Sequence, residues 1–419
     1  MAVKQLAVGS SQYKIYKTVV FALLFIGIVL VAFAFNDVGQ LTLFDNNYNL
    51  SLTRISKAIA FIIAILGLQV IVGYTGQVAL GQSFFFGLGA YVTAYLVQDQ
   101  NWGYLTTLAV VVPVCFVIGV LLGLPALRIS GLYLALVTLA IAAIFPSIIR
   151  LDQLFDYTNG SNGKIVDSDI VAPSWLPLDG TANVLQAIPY FGQFFGDGDL
   201  SDREADRIWK YFLFVAVAAV CFWLVANLIQ SRPGRAMRAI RDNEASAAVS
   251  GIDLARTKSM AFGIGSALGG VGGTVYVMEL GIASPDDFTQ LLAINFIVGL
   301  VVGGVASLPG AVVGGFVIAL IPDWASSTQS IGFVPERWLQ GPTGTLFLGA
   351  LLILLTFFLP GGIVAGGQKL KAKFVRLVPQ PPENTTTSTA MTSAKVVDDK
   401  DDDDVDLDAN ERANQVQTT

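Results

Sequence analysis

Ser231-Arg-Pro-Gly-Arg-Ala-Met-Arg-Ala-Ile-Arg-Asp-Asn-Glu-Ala-Ser-Ala-Ala-Val-Ser-Gly-Ile-Asp253 is a basic, helix-forming stretch set between two long apolar runs, 209–230 and 259–280. Each run has about the ~20 residues a helix needs to cross a bilayer. Inside lipid the backbone must satisfy its own hydrogen bonds, which leaves helices or a closed barrel. The runs are continuous rather than alternating, and that rejects the barrel. A charged helix kept between two spans is placed to touch something in the cytoplasm.

The rest of the chain follows the same pattern. Of its 419 residues 54% are hydrophobic and only 13% charged, against about 25% charged in soluble domains. Candidate spans are 18–35, 55–73, 78–98, 104–127, 131–149, 209–230, 259–280, 291–306, 308–322 and 343–360. The expected fold is therefore all-α, a polytopic bundle of about 8–10 spans. The Gly-rich pair 291–306 and 308–322 reads either as two crossings or as a re-entrant hairpin, and 78–98 carries the same ambiguity. The run Val19–Phe35 has no small-residue cleavage site after it and reads as a first span rather than a signal peptide.

Charge orients the bundle. Lys4, Lys14 and Lys17 precede the first run, six bases lie in 231–258, and Lys369, Lys371, Lys373 and Arg376 follow the last run. Basic residues collect on the cytoplasmic side, so both termini and 231–258 are expected inside. The segment 150–208, where acids outnumber bases, is expected outside with Asp286 and Asp287. The domain reading is a cytoplasmic N-terminus at 1–17, a transmembrane domain at 18–365 and an acidic tail at 379–419. The tail is Thr-rich and ends in the run Asp398–Asp408; such composition cannot bury enough apolar surface to order itself. It accounts for much of the net charge of −6.

Within 231–258, Pro233 suits a first helical turn. At 100° per residue Met237, Ile240, Glu244, Ala248 and Gly251 share one side of a continuous helix. Arg238–Asp242 and Arg241–Glu244 have ion-pair spacing. Spacing alone leaves two readings open: docking into a groove on another protein, or lying on anionic headgroups. A second motif, Gly73-Tyr-Thr-Gly-Gln-Val-Ala-Leu-Gly-Gln-Ser83, puts glycines and polar groups into an apolar region. Glycines there allow close packing, or a broken helix lining a solute path. The turn Asp156–Gly163 reads equally as a bland external turn or as part of an outer mouth.

Other chemistries are absent from the sequence. There is no histidine, which removes the commonest metal ligand and proton shuttle. No Gly-x-x-x-x-Gly-Lys-Ser/Thr loop occurs, so ATP is not bound that way. No candidate span has an ionisable residue near its centre; Glu279 sits at a span end. That argues against a proton-coupled carrier and a charged-ring channel. Cys115 and Cys221 lie within apolar runs and read as small core residues. No metal site, catalytic residue or nucleic-acid partner is expected.

Over roughly 50–365 the chain resembles the permease subunit of ABC importers for branched-chain amino acids. The resemblance rests on Gly73–Tyr91, Gly131-Leu-Tyr-Leu-Ala-Leu-Val-Thr-Leu-Ala140, Gly234-Arg-Ala-Met-Arg-Ala-Ile-Arg-Asp-Asn-Glu244 and Phe357-Phe-Leu-Pro-Gly-Gly362. It implies that 234–251 is a cytoplasmic coupling segment seated in a groove of an ATPase subunit. Glu244, Ala247, Ala248 and Gly251 match the family's acid, alanine and glycine positions, with Arg235, Arg238, Arg241 and Asp242 beside them. From their polar and glycine character in an apolar region, Gly73, Tyr74, Thr75, Gly76, Gln77, Gly81, Gln82 and Ser83 are expected to line or shape the path; many members of the resembled family have histidine in place of Gln82. The implied partners are ATPases that bind the ATP, a second permease subunit, an external solute-binding protein and the lipid of a prokaryotic plasma membrane. Urea and short-chain amide permeases share the fold family and remain an alternative, as does a stand-alone carrier.

Overall fold

The computed structural model describes residues 4–7, 51–124, 131–166, 170, 202–327, 349, 361–366 and 375–378. The candidate spans 18–35 and 343–360 (349 apart) and the acidic tail 379–419 lie outside these residues, as does most of 1–17 and of 150–208.

The described chain is overwhelmingly helical. Helix α1 (Leu52–Leu68) runs into a π-helical turn, Gln69–Tyr74. Then come α2 (Gln82–Gln98), α3 (Tyr104–Gly123), α4 (Leu132–Ile149), α5 (Asp202–Gln230), α6 (Arg232–Asp242), α7 (Glu244–Val249), α8 (Leu254–Leu280), α9 (Gln290–Gly303) and α10 (Leu308–Ser327). Among the described residues four segments are long and apolar enough to cross a bilayer: Leu52–Tyr74, Tyr104–Gly123, Ala205–Gln230 and Leu254–Leu280. A fifth, α4, bends by 72° into the short turn ending at Thr158. Two boundaries differ from expectation. The Asp253 carboxylate accepts from the Arg256 amide at 3.0 Å, and this cap starts α8 at Leu254 rather than at 259. Helix α5 starts at Asp202, so the end of the expected external loop 150–208 is helix.

Helix α8 is the hub and packs on α1, α2 and α3. Its glycines make that contact close: a β-carbon on Gly272 would stand 2.7 Å from the Ala60 carbonyl oxygen. Small residues of this kind let backbones approach within lipid. An aromatic cluster fills the centre, with Phe86 5.2 Å from Tyr276 and 5.3 Å from Phe296, ring to ring, separations at which tilted and edge-on rings attract. Both cysteines are buried and free.

The loops sort onto two ends. At the first, Lys164 Nζ pairs with Asp99 at 2.6 Å and Arg150 with Asp286 at 2.5 Å. The short strand Lys164–Ile165 pairs antiparallel with Ile282–Ala283. Burial raises the Asp287 carboxyl above its ordinary range here, against the pull of Lys57. At the opposite end Thr75, Gly76, Gly131 and the α6–α7 segment surround one cavity, and Tyr74, 305–309 and 361–365 parts of another. The C-terminal end of α2 lies at the first end, since Asp99 beyond it meets Lys164, while Gln82 at its start is bonded to Ala64 and Gly265 within α1 and α8. Helices α9 and α10 form a hairpin that starts beside Asp286, turns at Gly304–Ser307 and brings Asp323 back to Arg54, 4.0 Å away. The 14 residues of α9 rise about 21 Å, less than a hydrocarbon core of about 30 Å. A parallel ladder, Lys4–Ala7 on Val375–Val378, joins the first and last described segments.

Candidate functional site

The two sequence motifs meet at the end that carries α6 and α7. Ser231 caps α6, its hydroxyl accepting from the Gly234 amide, with Pro233 in the first turn as expected. Met237 and Ile240 are buried and anchor α6 against α5, α8 and the π-turn. The helix then stops. Asn243 has φ −160 and ψ 111, and its side chain accepts from the Ser246 amide to start α7. The expected continuous helical face is thus broken in two, because asparagine is a strong N-cap and a poor interior residue.

The break reassigns the charges. Arg235 donates to the Gln230 carbonyl at 2.9 Å and Arg238 to the Ile229 carbonyl at 3.0 Å. Both cap the C-terminal end of α5, where cations are favoured. The expected pairs Arg238–Asp242 and Arg241–Glu244 are not among the described contacts. Glu244 pairs instead with Lys258 on α8, whose side chain is 5% exposed while that of Glu244 is 50% exposed. Sequence reading counted Lys258 only as one basic loop residue; its place one turn into an apolar helix is the signal that marked it.

Helix α7 projects outward. Ala247 faces in, whereas Ala248 and Gly251 are exposed and Val249 is 91% exposed. The Ile252 amide bonds to the Ala247 carbonyl and the Gly251 amide to the Ala248 carbonyl, with Gly251 at φ +81. This is the Schellman ending, in which glycine takes the left-handed position. Gly251 thus shapes the turn between α7 and α8.

The residues 73–83 divide by environment. Gly73 is buried against Gln69 and Ala306. Tyr74 faces a cavity of about 410 Å³ lined by Ser307, Pro309 and Gly361. Thr75 (bonded to the Ile71 carbonyl), Gly76 and Gln77 face a second, polar cavity of about 450 Å³ whose other walls are Gly131 and Ile240–Ala245. Gly76 has φ +72, and a β-carbon there would stand 3.2 Å from Arg241 Cγ. Gln77 is 8% exposed, and neither atom of its amide has a hydrogen-bond partner among the described residues. Gly81 packs on Thr138, whose hydroxyl accepts from the Leu80 amide at 2.8 Å. Gln82 is a brace: its Nε2 donates to the Ala64 carbonyl at 3.0 Å and to Gly265 at 3.1 Å. It also borders a small void with Ile71, Phe85 and Phe262. Ser83 is fully buried in α2, its hydroxyl without a partner among the described residues. A second brace escaped the sequence reading. Gln69 donates to the Gly304 carbonyl at 2.9 Å and accepts from the Ser307 amide at 3.3 Å, holding the α9–α10 turn.

Residues 51–356 match the sequence profile of the family described as branched-chain amino acid transport system / permease component. The high-affinity branched-chain amino acid transport system permease protein LivM of Salmonella typhimurium is 30% identical over 311 residues, covering 73% of this chain and 67% of LivM. The corresponding protein LivH of Escherichia coli is 29% identical over 140 residues, 32% of this chain and 40% of LivH. An archaeal relative, the probable branched-chain amino acid transport permease protein LivH of Methanocaldococcus jannaschii, is 30% identical over 134 residues, 30% of this chain and 41% of its own length. No solved structure gives a significant match. With a profile match over most of its length, the chain belongs to the family of permease components of branched-chain amino acid transport systems.

Proposed function

We propose that the chain is one of two related permease subunits of an ATP-driven importer of branched-chain amino acids in a prokaryotic plasma membrane. ATPase subunits dock under α6–α7 from the cytoplasm, where both termini lie, and bind the ATP. A solute-binding protein delivers the amino acid at the opposite, acid-rich end. The α6–α7 segment is the coupling element, and the polar cavity at Thr75–Gln77 lies on the inner part of the path.

The observation that carries this reading is the form of α7. It is anchored by Ala247 and by the Glu244–Lys258 pair, yet presents Ala248 and the almost bare Val249 to solvent. An exposed apolar tip on a firmly held base suits a groove in another protein. Purification of the chain from its native membrane in mild detergent, with mass spectrometry of what accompanies it, tests the proposal. A co-purifying phosphate-loop ATPase is expected. Recovery without one, under conditions that keep a control complex intact, together with solute flux in vesicles holding this chain alone, overturns it in favour of a stand-alone carrier. Uptake of urea or short amides in place of branched-chain amino acids by the intact complex overturns the substrate.

A further inference from the structure

We propose that residues 75–81 are a hinge bracketed by two glutamine braces, and that the coupling segment moves this hinge through the contact of Arg241 with Gly76, a contact that parts during each transport cycle. The inference rests on the importer reading and specifies how its motion enters the membrane domain. Four observations carry it. First, 76–81 has no regular secondary structure, so its backbone bends without breaking a helical ladder. Second, it is pinned on both sides: Gln69 holds Gly304 and Ser307 on one, and Gln82 holds Ala64 and Gly265 on the other. Displacement is confined between the braces.

Third, the three atoms nearest to where a β-carbon on Gly76 would stand all belong to Arg241, the penultimate residue of α6. Arg241 and Asp242 are exposed and have no polar partner among the described residues. Beside the buried Met237 and Ile240, which seat α6 on the π-turn, this is the contact that reaches Gly76. Fourth, the Gln77 amide has no partner among the described residues and lines a polar cavity whose walls include Asp242, Asn243 and Glu244. An amide on the wall of a polar cavity is free to take a new partner, and bistable elements exchange one set of contacts for another. This arrangement is one of two. In the other, α6–α7 shifts into the cavity and its polar groups meet the Gln77 amide.

The contact is suited to a reversible lock. A β-carbon on Gly76 would stand 3.6 Å from Arg241 Cβ, within the range of about 3.5–4.5 Å that disulfides use. Cys115 and Cys221 are buried and give little background. The test uses the complete complex carrying Gly76→Cys and Arg241→Cys, with each single variant as control. The rate of disulfide formation is measured in the resting complex and in the complex trapped with ATP and vanadate. Rapid formation at rest and at least tenfold slower formation in the trapped state are expected. Equal rates in the two states overturn the proposal, and this readout does not require the variant to transport. Where the reduced variant does transport, oxidation is expected to stop uptake and thiol to restore it. Undiminished uptake by the fully cross-linked complex also overturns the joint. Absence of any ATPase from the purified complex overturns the importer reading itself and is seen before cross-linking begins.

Discussion

The stretches 73–83 and 231–258 both break the apolar pattern, and the fold uses them in opposite ways. In 73–83 the polar side chains are mostly buried, and Gln82 spends its amide on the backbone carbonyls of two neighbouring helices. In 231–258 only Met237, Ile240, Ala247 and a few neighbours are buried, and the charged groups other than Lys258 line the outside. The difference teaches where to look for each kind of work. A polar group that finds a distant carbonyl inside the bilayer holds helices together. A polar or apolar group left uncovered at the end of the bundle is available to another molecule. The contrast gives way at one place, Gly76 against Arg241, where the buried stretch surfaces and the exposed one touches it.

The sharpest way to break this comparison is at Glu244. Its carboxylate both pairs with Lys258 and stays half exposed, so it has a foot in each category. Glu244→Lys is expected to abolish uptake, by more than tenfold, with normal membrane insertion. The exchange Glu244→Lys with Lys258→Glu restores the ion pair with its sense reversed. It is expected to recover the thermal midpoint and leave uptake lost, because the exposed half now carries the wrong sign for the docking partner. Uptake restored by the exchange would show that Glu244 serves only as the partner of Lys258.

Gln82→Leu tests the other stretch. Interhelical hydrogen bonds in membranes contribute about 0.6–2 kcal/mol each, so loss of two should destabilise the bundle by roughly 1–4 kcal/mol. A thermal midpoint lower by several degrees is expected, with uptake per folded molecule less affected than for Glu244→Lys. An unchanged midpoint accompanied by altered solute selectivity would move Gln82 from bracing to the path.

Val249→Ser is expected to alter stability by no more than about 0.5 kcal/mol, as for other exposed positions. Its effect should appear as weaker retention of the ATPase during purification. Full retention through high-salt washes would show that the bare tip of α7 is not part of the docking surface.

What was legible in the sequence follows the same division. The apolar runs announced α1, α3, α4 and α8, because a continuous apolar run in lipid has little choice but helix. The caps were also present: Ser231, Asn243 and Asp253 are strong N-cap residues, and the last two mark where α7 and α8 begin. The sequence reading extended one helix through Asn243 because the apolar spacing on either side of it happens to match. The charges placed the start of 150–208 on one side with Asp286, and the structure brings these loops together through Arg150–Asp286 and the pairing of Lys164–Ile165 with Ile282–Ala283. The braces were not legible. Gln69 finds Gly304 across 235 residues and Gln82 finds Gly265 across 183, and nothing local in the chain distinguishes a brace from a lining residue. Gln82 was accordingly assigned to the path with Gln77, though the structure gives one amide two partners and the other none.

The smallest expected effect, at Arg238, tests how far the comparison reaches into the coupling segment itself. Sequence spacing placed Arg238 with the docking residues, whereas the structure has its guanidinium capping α5 through the Ile229 carbonyl. The side chain is exposed, and such a cap at a helix end contributes a few tenths of a kcal/mol to about 1 kcal/mol. Glutamine lacks the charge but keeps an N–H that can donate to the same carbonyl. Arg238→Gln should therefore shift the thermal midpoint by no more than a degree or two and leave uptake near the wild-type rate. A tenfold fall in uptake at unchanged midpoint would show that the guanidinium is read by the ATPase. The division between buried braces and exposed signals would then have to be drawn within a single side chain, with the end that caps α5 in this state released to the partner in the other.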